Sequence, residues 1–404
     1  MSLGINLSLG IAALILMLLP LYSAHAISPT STPLDRTGSP IEVAPPSANT
    51  PLVIASFLEE ERRPIGRSPL TLEGNEKNRS SWALYLDNDL FALASKDRDY
   101  TGGVALTLSG IEATTYAVSL NPLLRKINSN IGINSTQSTL NPPTLHSFEF
   151  GVHTFTPNDT DNKNIVTNDR PYASLVYVAN SRQQINRKKR SSIITNLSIG
   201  ALGLNLGETI QKAIHELSSS DPVRGWKHQI SDGGELTARY FVARQKMRYA
   251  HYLDANNNYE IKTATRASLG YLTELSWGLS GRWGRIRSPW WSFNPQVSSY
   301  ADKSAPMANS ENTATKKELY FWAGSNIHLR LYNAFLRGQF RNSALTYKDS
   351  ELERVIVESW AGITMELSHQ FRASYFLRGH TKEIKQGEGA RNQLWGGLIV
   401  SRTL

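Results

Sequence analysis

The chain has 404 residues and no cysteine, with 43 Lys and Arg against 34 Asp and Glu and a formal net charge of +9. Lack of cysteine excludes a disulfide framework and leaves hydrogen bonding and burial to hold the fold. In a chain that opens on an export signal, the basic balance points to an anionic lipid surface or ligand and away from nucleic acid.

Residues 1–26 hold an apolar run from Leu9 to Leu21 and small residues at Ala24 and Ala26. That pattern predicts a cleaved signal peptide, although its leading region lacks Lys and Arg. The run is shorter than the ~20 residues a spanning helix needs. No cysteine follows it, so the mature chain is not a lipoprotein. Residues 27–79 are rich in Pro, Ser and Thr and read as a flexible periplasmic lead-in. Residues 80–404 change texture: segments of alternating apolar and polar residues are separated by Gly, Asn, Asp and Ser clusters.

The alternation is clearest late in the chain. Tyr271, Leu275, Trp277 and Leu279 interleave with Glu274, Ser276, Ser280 and Arg282, and Leu319, Phe321, Ala323, Ile327 and Leu329 interleave with Asn326, His328 and Arg330. Ala373, Tyr375 and Leu377 alternate with Arg372, Ser374 and Arg378. Period two with charge on one face is a strand whose other face meets something apolar. Many such strands in an exported chain predict an all-β fold, a twelve-stranded antiparallel transmembrane β-barrel of the outer membrane with a polar interior. The strands are expected near 81–90, 100–110, 145–156, 171–182, 190–203, 235–249, 259–283, 317–330, 333–345, 354–367, 370–380 and 391–403.

An even barrel with both termini in the periplasm puts every odd-to-even connection at the cell-exterior rim. Five polar clusters then fall together: Asp87-Asn88-Asp89, Asp97 to Gly103, Thr154 to Pro157, Asn168 to Tyr172, and the long connection holding Gly207 to Leu217 and Gly225 to Gln229. Gly207 to Leu217 reads as a short helix in an exterior loop, with Ile210, Ile214 and Leu217 on one stripe and Gln211 and His215 on another face. His215 suits a general base because imidazole titrates near working pH, and it equally suits a surface or loop-packing histidine; His228 is a second candidate. In a strand, Asp87 and Asp89 share one face and Asn88 takes the other. Those oxygens, with backbone carbonyls near Thr101, suit Ca²⁺; the plain alternative is a turn cluster.

The segments L-D-N-D-L-F, D-R-D-Y-T-G-G, T-F-T-P, D-R-P-Y-A, Q-x-x-x-H and G-W-x-x-Q occur in that order between Leu86 and Gln229. Together they resemble the outer-membrane lipid A 3′-O-deacylase family over about residues 80–404. The resemblance implies a twelve-stranded barrel and a Ca²⁺-dependent carboxylic ester hydrolase that removes the 3′ acyloxyacyl group of lipid A. It places the family's Asn-Asp pair on Asn88 and Asp89, its threonine on Thr101 and its histidine on His215. By this resemblance Asn88, Asp89 and Thr101 would hold the metal, and His215 would activate water. Lipopolysaccharide in the outer leaflet and the outer-membrane assembly machinery are the implied partners. Arg170 and Lys227 are candidates for holding the glucosamine phosphates.

Three features depart from the family pattern. Ser231 to Glu235 stands where an Asn-Glu-Pro-like segment is usual, a lysine of the family's site has no placeable counterpart, and Gly103 doubles the glycine after Thr101. Two competing readings follow: a non-catalytic barrel serving as a pore or surface-binding protein, and a phospholipase working in the same leaflet. Twelve strands make a narrow barrel for a general porin, which favours an enzyme.

Overall fold

In a computed structural model of the chain, residues 80–92, 99–133, 144–205, 224–252, 257–298, 317–368 and 371–403 are described. The expected signal peptide and lead-in, and the segment holding His215, lie outside them. Twelve antiparallel strands close into one barrel. They are β1 (Ser81–Asn88), β2 (Asp99–Ser109), β3 (Thr144–Thr156), β4 (Ala173–Asn186), β5 (Ser191–Leu202) and β6 (Glu235–Tyr252). Then follow β7 (Asn258–Gly270), β8 (Leu272–Arg285), β9 (Leu319–Asn333), β10 (Val355–Glu366), β11 (Phe371–His380) and β12 (Gln393–Thr403). β1 and β12 pair from Ser81↔Thr403 to Asn88↔Gly396, so no strand edge is left open, as hydrocarbon surroundings require.

Ten of the twelve expected strands are found at nearly the expected places. The segment 259–283 is two strands, β7 and β8, broken at Gly270 (φ 133°) and Tyr271. A side chain at Gly270 would strike the Ala238 carbonyl, so the tight turn needs glycine there. The expected strand at 333–345 is absent. Asn333 instead accepts from the Phe335 backbone N–H and caps a single helical turn, α2 (Ala334–Arg337), which ends at Gly338 (φ 67°). The two differences cancel in the count. A helix that the alternation did not announce, α1 (Asn121–Asn130), lies in the β2–β3 connection.

The outward rows carry the expected apolar band, with Leu236, Leu269, Trp277, Trp283, Phe321 and Val355 each at least half exposed. The inward rows are charged and paired. Arg266 reaches Glu274 at 2.5 Å, Arg330 reaches Glu274 at 3.0 Å, and Arg282 reaches Glu260 at 2.5 Å. The β8–β9 connection enters the lumen: Lys262 donates to the Trp290 carbonyl at 2.9 Å, Arg266 to that of Val297 at 2.8 Å, and Arg378 to that of Pro295 at 2.7 Å. Aromatic rings of Tyr271, Trp322, Phe335, Trp360 and Trp395 fill more of the interior. The described lumen is therefore largely occupied by paired charges, rings and the β8–β9 connection, around a cavity lined by Tyr85, Trp322, Arg372, Phe376 and Arg378.

Candidate active site at one rim of the barrel

The connections β1–β2, β3–β4 and β5–β6 leave from the same rim, so the polar clusters singled out in the sequence do converge. Alternation along β1 turns Asp87 inward, where it is 3% exposed, and leaves Asn88 half-buried on the outer wall. The chain then enters a 3-10 turn, Asp89–Ala92, with Asp89 buried. Across from it, the β2–β3 register slips between Tyr100 and Gly102, making Thr101 the extra residue of a bulge. Bulges re-aim groups next to active sites. Here the Thr101 carbonyl accepts from the Asn88 side-chain amide, and its hydroxyl meets that of Thr156 at 2.6 Å. Thr154 donates to the Gly102 carbonyl at 3.1 Å. The outward row of β3 thus changes from Phe148 and Phe150 to Thr154 and Thr156 as it nears the rim. Asn88, Thr101, Thr154 and Thr156 form a polar group on a wall that is otherwise apolar.

Behind this group, on the inward side, a hydrogen-bonded row runs down the barrel. The Tyr100 hydroxyl lies 3.5 Å from Asp87 and 3.1 Å from Nδ1 of His153. His153 Nε2 is 3.2 Å from the Tyr177 hydroxyl, which donates to Glu149 at 2.7 Å, and Thr107 donates to the other Glu149 oxygen at 2.8 Å. Small residues make the room. A side chain at Gly103 would strike the Tyr100 hydroxyl, and a Cβ at Gly397 would stand 2.7 Å from Asp87 Oδ1. The doubled glycine after Thr101 therefore has a steric reason in this chain. The sequence reading missed His153, whose one signal was a histidine at an inward position just before T-F-T-P.

The remaining motifs are clamps between connections. Asp169 accepts from the backbone N–H groups of Arg170 at 2.7 Å and Asn158 at 2.8 Å. Arg391 reaches Asp99 and Asp169, each at 2.8 Å, tying the β11–β12 connection to the start of β2 and the β3–β4 connection. Burial alone would weaken the Arg391 charge, but its two carboxylate partners more than offset this and raise its pKa above the ordinary value. Tyr172 packs on Trp226, ring centroids 5.1 Å apart, and its hydroxyl donates to the Thr160 carbonyl at 3.2 Å. Burial first, and Asp159 second, push the Tyr172 phenol up, so it stays neutral. Gln229, the last residue of G-W-x-x-Q, accepts from Ser174 at 2.9 Å and donates to Asn205 at 3.2 Å and Asp232 at 3.1 Å. Ser174 Oγ also stands 2.8 Å from the Leu204 carbonyl, an alternative acceptor for its one proton, and Arg224 N–H donates to the Thr160 carbonyl at 3.0 Å. These bonds hold both described ends of the β5–β6 connection beside β4 and the β3–β4 connection.

A family model described as outer membrane protein LpxR matches residues 52–404. The chain belongs to the LpxR family. Its closed barrel, with the lipid-facing band above, is an integral barrel of the outer membrane. Among solved structures it is similar to LpxR from Salmonella typhimurium at a TM-score of 0.60 and 16% identity, covering 80% of this chain and 99% of that one. It also matches the β domain of the Bordetella autotransporter BrkA (TM-score 0.38, 8% identity, 80% and 98% covered). An outer-membrane channel from Pseudomonas putida F1 matches too (TM-score 0.37, 7% identity, 83% and 100% covered). A comparison with curated protein sequences gave no match.

Within this family member the six sequence-derived candidates divide. The Asn88 side-chain amide meets the Thr101 carbonyl, and Asp89 follows Asn88 in the chain, buried at the start of the 3-10 turn. His215 lies outside the described residues. Lys227 is exposed on the 3-10 turn Trp226–His228, and His228 Nε2 sits 3.2 Å from the Lys163 carbonyl. Arg170 is 1% exposed, ion-paired with Glu383 and 4.8 Å over the Phe155 ring. Glu383 also takes Arg330, Asn333 and Gln393, so Arg170 belongs to an interior latch. Glu235, in the segment that departs from the family pattern, accepts from Ser231 and from the backbone of Phe340 at 2.7 Å.

No group of three or more His, Asp or Glu side chains forms a metal cluster among the described residues. The candidates carry the hard oxygen donors that Ca²⁺ takes, a carboxylate on Asp89, an amide oxygen on Asn88 and the hydroxyl and carbonyl of Thr101, with the Asn88 amide nitrogen turned to that carbonyl. By donor chemistry alone this set suits a hard divalent cation better than a soft one.

Proposed function

We propose that the chain is a lipid A deacylase that hydrolyses the 3′ acyloxyacyl ester from a site on its outer wall at the cell-exterior rim. The observation that carries this reading is the position of Asn88, Thr101, Thr154 and Thr156 on the outward face of a barrel whose lumen is largely occupied. A substrate held in a leaflet would approach this face sideways, without entering the barrel, and meet half-buried Asn88 first, since Thr101, Thr154 and Thr156 are buried. Family membership supplies the substrate class.

Asn88, Asp89 and Thr101 would hold Ca²⁺, which supplies positive charge where an ester carbonyl develops negative charge. A water oriented beside Asn88 and Asp89 gives its proton to a ring nitrogen of His215 as its oxygen attacks the carbonyl. The bond to the sugar oxygen then breaks, and that oxygen takes the proton from His215, releasing a carboxylic acid and a free hydroxyl. Lys227, exposed on the connection that bears His215, is a cation available for a glucosamine phosphate. Arg170 is left out of this role because its guanidinium is enclosed with Glu383.

Mass spectrometry of lipid A from a Gram-negative host expressing the chain tests the reading, beside a His215→Ala control. Loss of a 3′ acyloxyacyl group with the parent chain and not with the variant is expected. Unchanged lipid A with accumulating lysophospholipid would move the substrate to phospholipid. Unchanged lipids of both kinds, from a folded and inserted barrel, would leave the non-catalytic reading.

A further inference from the structure

At the rim opposite Asn88 the outer wall changes character. α1 lies against the outside of β4 to β6. Asn128 donates to Thr195 and accepts from the Tyr240 hydroxyl, both at 2.9 Å, and Leu120 N–H donates to Asn180 at 2.7 Å. Three stretches meet there. Residues 121–130 carry two Lys or Arg, 181–190 carry five and 242–252 carry three, with no Asp or Glu in any of them.

The register brings these charges to one place. Arg182 pairs across from Thr195, the residue that anchors α1, while Arg244 pairs across from Ile193 and Lys246 across from Ser191. The turn joining β4 to β5 exposes Arg187, Lys188 and Lys189, and Met247 N–H donates to the Arg190 carbonyl at 2.9 Å, fixing that turn beside β6. Exposed apolar side chains flank the basic ones: Val118 at 60%, Leu123 at 45% and Ile131 at 52%. Cations on a lipid-facing wall are costly in hydrocarbon and tolerated near the interface, where phosphate can meet them.

We propose that this patch binds the headgroups of anionic phospholipids in the leaflet at that rim. The phosphates meet Arg182, Lys188, Lys189, Arg244 and Lys246, and the acyl chains lie along Leu123 and Val118. The surface stands apart from the candidate active site and does not depend on the deacylase reading.

The test is native mass spectrometry of the folded barrel in neutral detergent, titrated with phosphatidylglycerol or with phosphatidylcholine. A preference of about tenfold or more for phosphatidylglycerol is expected, since each basic side chain near such a surface contributes about fivefold. A combined Arg187→Ser, Lys188→Ser, Lys189→Ser variant, and separately Arg244→Gln with Lys246→Gln, should each lose most of that preference. Removing three charges at the other rim (Lys348, Lys382 and Lys385 to Ser) should keep it. Heat-modifiable migration on a gel confirms folding of each variant. No preference in the parent barrel, or equal loss in the control variant, would overturn the proposal. Lipid A outcompeting phosphatidylglycerol at the patch would overturn it too.

Discussion

The inward and outward faces of the same strands use polar residues in opposite ways. Inside, charge is abundant and closed on itself: Glu274 meets Arg266 and Arg330, and Glu383 gathers Arg170, Arg330, Asn333 and Gln393. Outside, near the β1–β2 rim, polarity is sparse and short-ranged: Asn88, Thr101, Thr154 and Thr156. Buried titratable groups are often the first place to look for catalysis. In this barrel they pair across the lumen, and the candidate group on the outward rows is the small one with few charges.

The largest expected effect lies on the inside. Glu274→Ala leaves Arg266 and Arg330 without their shared carboxylate and should destabilise the barrel by about 3–5 kcal/mol, read as a lower unfolding midpoint and less heat-modifiable protein. Unchanged stability would break the assignment of the lumen network to structure.

A sharper contrast comes from the two phosphate candidates named in the sequence. Arg170→Ala, inside, should cost about 3 kcal/mol of stability by stranding Glu383 against fewer cations. Lys227→Ala, outside, should leave the unfolding midpoint within about 0.5 kcal/mol while raising KM for lipid A. The reverse pattern would exchange their roles.

A stability change coupled to a change in rate is expected at Gly397. Its new Cβ in Gly397→Ala would stand 2.7 Å from Asp87 Oδ1 and crowd Phe376, costing about 1–3 kcal/mol. Ester hydrolysis should fall by about one to two orders of magnitude, because Asp87 and Asn88 shift together. A folded Gly397→Ala barrel with full activity would show that the close packing around Asp87 does not position the site.

Much of this was legible in the sequence because lipid outside and charge inside write a period of two onto every strand. The alternation failed where geometry is set by backbone and not by pattern. Apolar and polar residues continue to alternate through Gly270 and Tyr271, so nothing marked the turn between β7 and β8. After Asn333 the residues still suit a strand, but the Asn333 cap turns the chain into α2. α1 went unread because its buried residues, Asn121, Leu124 and Asn128, are largely polar and make no apolar stripe. In the site, Asn88, Asp89 and Thr101 were visible as short motifs. Thr154 and Thr156 were seen as a rim cluster without a role, since only the β2 bulge brings Thr101 to Thr156. The partner that encloses Arg170 is 213 residues away, a distance no local pattern reports.

The most direct test is the rate of lipid A ester cleavage by the purified, folded barrel with Ca²⁺, comparing Asn88→Ala with Tyr177→Phe. The first change is on the outer wall, and the second removes an inward hydroxyl between His153 and Glu149. The outward variant should lose at least about a hundredfold in rate, the scale of a lost electrostatic or positioning contact, and the inward one should stay within about threefold. Full activity in Asn88→Ala, or loss of activity confined to Tyr177→Phe with the fold intact, would contradict a site on the outer wall.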